Sequence, residues 1–380
     1  MDTLFTTVRQ LEEKYLQMWQ EICLIESPTS SKEGVDAVAD YCIAKANALG
    51  WKIERGCEPV SGDPVCITMN SQSTEPAICL SAHMDTVHPI GCFGTPAVKT
   101  DEKKIYGPGV HDCKGNIVAA FMTMEALQLC GYNKRPIKLI LQSDEETGSA
   151  GSNKHTVDFM EENAKGCLYF LNMEPHIHPK VTIQRKGIMK MHFTITGKAG
   201  HAGKCYQFTS AITEAAHKIL AIEKWKEVDG ITCNVGMVNG GTGYNVVPES
   251  CSFGVDVRFA DPAQQEKIRA YMQQVADTSY IPGTTCQLKL VSTRVSMPKT
   301  ESAMELLEKM NEIFRQTGLP VMEPTAAPGG SDCADMVSRG FTAVDSLGIE
   351  GGGSHSLTEW AELASLVRCG DRLCALLWNL

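Results

Sequence analysis

Apolar side chains recur at Leu4, Val8, Leu11, Tyr15, Met18 and Ile22. Steps of three or four positions are the spacing of one helix face, so the chain is expected to open with an amphipathic helix. Further on the period shortens. PVCITMN, AICLSAHMD, IKLILQSD and CLYFLNMEP are short apolar runs bounded by polar residues, the pattern of buried strands. A helical pattern over 116–129 falls between the second and third of them. Strands alternating with helices predict a mostly parallel α/β sheet.

From about residue 181 the texture changes. VTIQRKGIMKMHFTITGKAG and SCSFGVDVRFA alternate apolar with polar positions, as antiparallel strands with one wet face do. Helical patterns follow over 210–226 and 262–276. Around VSTRVSMPKT the first texture returns, with a helix over 303–317 and a strand in TAVDSLG. The simplest organisation is an α/β domain formed by 1–180 and 295–380, interrupted by a smaller α+β domain over 181–294.

Composition changes this picture little. The 380 residues are 43% hydrophobic and 21% charged, ordinary for a globular chain long enough for two domains. A formal net charge of −10 argues against nucleic acid or an anionic membrane as partner, because both need a basic face. No apolar run approaches the ~20 residues that span a bilayer. The N-terminus lacks the basic and apolar regions of a secretory signal, so a cytoplasmic location is expected. Sixteen scattered cysteines without a Cys-x-x-Cys pair fit free thiols in a reducing compartment.

The chemistry lies where the predicted strands end. AICLSA runs into His83 and Asp85, IKLILQS into Asp144, Glu145 and Glu146, and CLYFLNM into Glu174. TAVDSLGIEGGGS leads to His355, and Asp112 sits in the glycine-rich YGPGVHDCKGN. A single strand-end acid is normally a solvated loop residue. Two histidines and several acids at one sheet edge are harder to dismiss, since ligands of open α/β sheets bind beyond the carboxyl ends of strands. Two imidazoles plus carboxylates suit divalent transition metals, zinc above all. Of two neighbouring glutamates, one can bind metal while the other acts as general base. His176 and His178, in EPHIHP, read as loop residues rather than a third metal site, and GGTGYN reads as a hairpin turn.

SAHMDTV, YGPGVHDCKGN, SDEETGSAGS, NMEP, GKAGHAG, NVVP, DVRF, GGSDC and GGGSH occur in this order over nearly the whole chain. The set resembles the zinc-dependent exopeptidases and amidohydrolases that include carboxypeptidase G, aminoacylase, acetylornithine deacetylase and succinyl-diaminopimelate desuccinylase, with carboxypeptidase G the nearest in look. The resemblance implies two zinc ions per chain, replaceable by cobalt or manganese. His83, Asp112 and Glu174 would hold one ion, and Asp112, Glu146 and His355 the other. It implies Glu145 as general base, Asp85 as the residue orienting His83, and a cis peptide bond at Asp112–Cys113. It further implies that the inserted domain is a ferredoxin-like lid and dimerisation domain. There His201 reaches an active site across a homodimer interface with Asn245 as its companion, and Arg258 grips the substrate carboxylate with Arg294 as a second candidate, while Gly330 and Ser331, further along the chain, match the substrate loop.

The function so implied is hydrolysis of an amide next to a free carboxylate, in a small peptide or N-acyl amino acid. Deacylation of N-acyl amino acids and dipeptide cleavage use the same centre. An inactive carboxylate-binding relative is the alternative of a different class, and the intact Glu145 argues against it.

Overall fold

A computed structural model describes the whole chain, Met1–Leu380. It divides into two compact units, one of Met1–Ile183, Lys299–Ala326 and Ser331–Leu380, the other of Gln184–Pro298 and Ala327–Gly330.

The first unit is built on a six-stranded sheet. Its order is Lys52–Arg55, Val65–Met69, Ile137–Gln142, Ile78–His83, Tyr169–Asn172 and Ala343–Val344. The first two strands pair antiparallel, and the other four run parallel to one another. The central strands Val65–Met69 and Ile78–His83 are buried at every position, as continuous apolar runs covered on both faces must be. The opening helix, Asp2–Leu24, buries Leu4, Val8, Leu11, Tyr15, Met18 and Ile22. It packs on the helices Lys114–Leu129 and Ser365–Asn379. Lys114–Leu129 is buried almost all round, the mark of a helix inside a core rather than on its surface. Trp19 lies fully buried in that core, its indole N–H donating 3.0 Å to the Val110 carbonyl. Burying such a side chain contributes about 1.5–3 kcal/mol, and here it also anchors the loop that leads to Asp112.

The ladder sets the stage for the site. Ile78–His83 runs parallel to both neighbours, with His83 opposite Gln142 and Ser81 opposite Asn172. Asp85, the acids 144–146 and Glu174 therefore emerge together beyond the same sheet edge.

The second unit carries an antiparallel sheet in the order Thr232–Gly240, Ser250–Phe259, Gly187–Thr196, Thr285–Arg294. Helices Ala211–Glu223 and Pro262–Asp277 pack on it. Numbered along the chain the strand order is 2-3-1-4, the ferredoxin-like βαββαβ arrangement. Met189, Met191, Phe193, Ile195, Phe253, Val255 and Val257 are buried between sheet and helices, and Phe193 stacks on Phe253 at 4.6 Å. Asp261 caps the second helix by accepting from Gln264 N, with Pro262 in its first turn, as N-caps do. The stretch 291–294, the start of VSTRVSMPKT, belongs to an outer strand of this sheet. The other outer strand, Thr232–Gly240, leaves Met237 and Val238 exposed.

No helix is long and apolar enough to cross a membrane, and all sixteen cysteines are free thiols.

Candidate metal centre

Asp85 organises the first side of the site. It is fully buried and accepts from Thr29 Oγ1 at 2.7 Å, from Glu145 N at 3.2 Å and from Glu146 N at 3.1 Å. One carboxylate thus pins the turn that carries both glutamates. His83 Nδ1 lies 3.0 Å from the Asp85 carbonyl oxygen and 3.3 Å from Asp85 Oδ1. Both partners only accept, so Nδ1 carries a proton, and Nε2 is the nitrogen turned toward the acids. Nε2 faces Asp112 Oδ1 at 3.1 Å and Glu174 Oε1 at 3.8 Å.

Asp112 turns its other oxygen to a second group. Oδ2 is 3.6 Å from His355 Nε2, which lies 3.1 Å from Glu146 Oε2. The loop that holds Asp112 hangs on Glu359. That buried carboxylate accepts from the backbone N–H groups of His111 at 2.9 Å and Asp112 at 3.0 Å, from Gly109 at 3.3 Å, and from His88 Nε2 at 2.9 Å. The Asp112–Cys113 bond is cis. Asn116 clamps the next turn, donating to the His111 carbonyl at 3.1 Å and accepting from Ile349 N at 2.7 Å. A Cβ at Gly348 would lie 2.2 Å from Asn116 Oδ1, so this crossing requires glycine.

The donors thus form two triads that share one residue. His83, Asp112 and Glu174 make one, Asp112, Glu146 and His355 the other, each with ligand atoms within 4.8 Å of one another. Asp112, Glu146 and Glu174 pair with no lysine or arginine, only with His83 and His355. Burial, aided by Asp112 and Glu145, raises the Glu174 carboxyl well above its ordinary range. Burial likewise pushes Glu146 up to about 7, although His355 opposes it. The bond to Glu146 lifts His355 to about 9 against the effect of burial. A cluster that must hold protons to relieve its own charge is short of positive charge, which divalent cations supply. Two imidazole nitrogens and three carboxylates suit zinc, cobalt or manganese, so the residues fit such ions. Cys113 lies in the first group, but burial pushes its thiol up to about 12 and it donates to the Met173 carbonyl. It stays a packed thiol.

Of the three consecutive acids, Asp144 has a separate task. It is fully buried and accepts from Thr156 Oγ1 at 2.7 Å and Ser152 N at 2.9 Å, closing the loop behind the glutamates. Glu145 is buried, and its charge acts on Glu146, Glu174 and His355.

The remaining expected residues are dispersed. In the second unit, exposed His201 pairs with Val246 in a two-residue bridge, and Ala202 N donates to the Asn245 carbonyl at 3.0 Å, so His201 and Asn245 are neighbours. Arg258 makes a two-pronged contact with Asp256 at 2.7 and 3.1 Å. Gly330 rests against the Arg294 side chain, where a Cβ would come within 2.9 Å of Cδ. Ser331, in the first unit, is buried. Its hydroxyl donates to Asp345 and accepts from Cys333 N, capping the helix Asp332–Ser338. Thr29, His88, Asn116 and Glu359 were not singled out from the sequence. Glu359 follows His355 by four positions, and that short interval is the one local hint of its role.

Residues 79–379 match the model of the peptidase family M20/M25/M40. Carboxypeptidase G2 from Pseudomonas sp. (strain RS-16) is 26% identical over 377 residues, covering 97% of this chain and 89% of the relative. Acetylornithine deacetylase from Myxococcus xanthus is 26% identical over 374 residues, covering 91% and 92%. Among solved structures, aminopeptidase PepT from Bacillus cereus superposes with a TM-score of 0.81 at 18% identity, over 97% of this chain and 98% of the other. That likeness is one of fold.

Proposed function

The chain belongs to the peptidase family M20/M25/M40 and is a metal-dependent hydrolase, and we propose that it cleaves an amide bond adjacent to a free carboxylate, as a glutamate-carboxypeptidase-like enzyme. The observation that carries this reading is the pair of triads sharing Asp112, one oxygen turned to each. His83, Asp112 and Glu174 would hold one zinc ion, and Asp112, Glu146 and His355 a second. When bound, such ions polarise an amide carbonyl and lower the pKa of water toward ~7.

Glu145 takes the proton of the attacking water and returns it to the leaving amine. Its backbone is held by Asp85, which keeps the base beside Glu146 without giving the two glutamates one task. His201 donates a hydrogen bond to the oxyanion formed during attack. It does so from the second chain of a homodimer joined through the second unit. The exposed outer strand Thr232–Gly240, with Met237 and Val238 outward, and the exposed position of His201 support that pairing. Arg258 grips the substrate carboxylate, exchanging Asp256 for the ligand in a bidentate contact. Asn245, Gly330 and Arg294 complete the substrate wall, and Ser331 fixes the loop that presents Gly330.

Deacylation of N-acyl amino acids is the second reading, favoured by the 26% identity to acetylornithine deacetylase over nearly the whole chain. The test is a panel of N-acyl amino acids and dipeptides, each as free acid and as C-terminal amide, with metal-free and zinc-, cobalt- or manganese-loaded protein. Metal-free protein should be inactive. The amides should be cleaved at least ~10²-fold less well, because a neutral amide cannot replace the Asp256 carboxylate as the charged bidentate partner of Arg258. Equal cleavage of acid and amide ends the carboxypeptidase reading, and the side chain preferred at the leaving amino acid separates the two readings.

A further inference from the structure

Beyond the strand that delivers Glu174, the chain continues through His176 and His178. The backbone N–H of His176 donates to the Ile349 carbonyl at 2.9 Å, which sets His176 beside Glu350 in a parallel bridge. Ligand atoms of His176, His178 and Glu350 lie within 4.8 Å of one another. The sequence alone offered two loop histidines; the carboxylate arrives from a segment more than 170 positions away.

His176 is only 3% exposed. Its Nδ1 lies 2.7 Å from the Ser346 carbonyl oxygen, which can only accept, so the proton sits on Nδ1. Nε2 is therefore an acceptor with a free lone pair, and it is buried without a hydrogen-bond partner. An imidazole oriented through Nδ1 by a backbone carbonyl, with a bare Nε2, is the usual state of a metal-ligating histidine. A buried polar atom left without a partner destabilises the fold, and ligation would remove that cost.

Glu350 is held ready. Arg368 lies 2.6 Å from its Oε2, and Arg372 3.3 Å from Oε1. Burial opposes the charge, but these arginines hold the Glu350 carboxyl below its ordinary range. The charge of Arg368 is shared with Glu362 at 2.7 Å. Each carboxylate oxygen has a second lone pair, so the guanidiniums can stay as outer hydrogen-bond partners of a ligating carboxylate. His178 is exposed, which opens the position to solvent.

From this geometry we infer that His176, His178 and Glu350 form a further transition-metal site, separate from the two triads, that takes a zinc-like divalent ion. Two imidazoles and one carboxylate select zinc, cobalt or nickel over magnesium or calcium. With one ligand on an exposed loop and arginines nearby, the site binds more weakly than the two triads and fills after them. An ion there ties the segment after Glu174 to the segment that leads to His355.

The test compares wild type with His178→Ala. Metal-free protein of each is dialysed against rising zinc, and bound metal per chain is measured at each concentration. Wild type should take up one more equivalent than the variant at high zinc. It should also gain thermal stability on that last addition, which the variant should not. Hydrolytic activity at limiting metal should be the same in both proteins, since His178 touches none of the triad residues. Because the difference between two proteins is read, the result does not depend on how many ions the triads hold. Equal uptake and equal thermal gain in the two proteins overturn the inference. Should His178→Ala fold poorly, His178→Asn in the same exposed loop gives the same reading, with the same two outcomes.

Discussion

The two units hold their chemistry in opposite ways. In the first, His83 is buried, Asp112, Glu146 and Glu174 are half-buried and His355 is exposed, and the segments that carry the acids are positioned by partners from distant parts of the chain. Asp85 holds the backbone of both glutamates, and Glu359 holds the Asp112 loop from almost 250 residues away. In the second unit, His201 is exposed and its ring accepts only from Gly203 N two residues on, while Arg258 is paired with Asp256 on its own strand. A centre that must bring several carboxylates together needs a rigid frame before any ligand arrives, because their mutual repulsion otherwise scatters them. Residues that meet substrate late need only be exposed and free to exchange a local partner for it. Framing by remote partners thus separates the groups that are preorganised from those that act on arrival.

This contrast breaks most visibly at His201. Under the proposed dimer, His201→Ala should lower kcat by ~10²–10³-fold, the scale of losing an oxyanion donor, while bound metal stays at the wild-type level. Mixing His201→Ala with Glu145→Gln under conditions of chain exchange should restore part of the activity, since one site of a mixed dimer carries neither lesion. Confirmed exchange without recovered activity would place His201 in its own chain's site or in none.

Asp144 sharpens the comparison at smaller scale. Asp144→Ala leaves the Ser152 N–H and the Thr156 hydroxyl without their acceptor inside the protein. Denaturant unfolding should show a loss of about 1–3 kcal/mol, with the metal content of the folded protein unchanged. Loss of metal instead of stability would mean that the first of the three acids belongs to the centre.

Much of this organisation was readable from periodicity. Buried strands announced themselves as apolar runs, and the acids at their ends followed from where ligands bind in open sheets. The helix Lys32–Ala48 did not stand out, because its buried positions are small or β-branched, Val35, Val38, Ala39, Cys42 and Ala46, among frequent charges. The framing residues stayed hidden for a different reason. Thr29 and Glu359 act through single hydrogen bonds or backbone contacts to remote segments, and no local pattern marks such a partner. Glu350 is hidden in the same way, since only the folded chain sets it beside His176. The ligand triads were grouped through resemblance, because spacing along the chain cannot say which oxygen of Asp112 faces which histidine.

The central claim is that neighbouring Glu145 and Glu146 do different work within one buried frame. Metal content and turnover, measured together on Glu145→Gln and Glu146→Gln, address it directly. Glu145→Gln should keep the wild-type number of ions per chain and lose turnover by at least ~10²-fold, the scale of general acid–base help. Glu146→Gln should lose one ion per chain. If Glu145→Gln sheds metal while Glu146→Gln retains it, the two glutamates have been assigned the wrong way round.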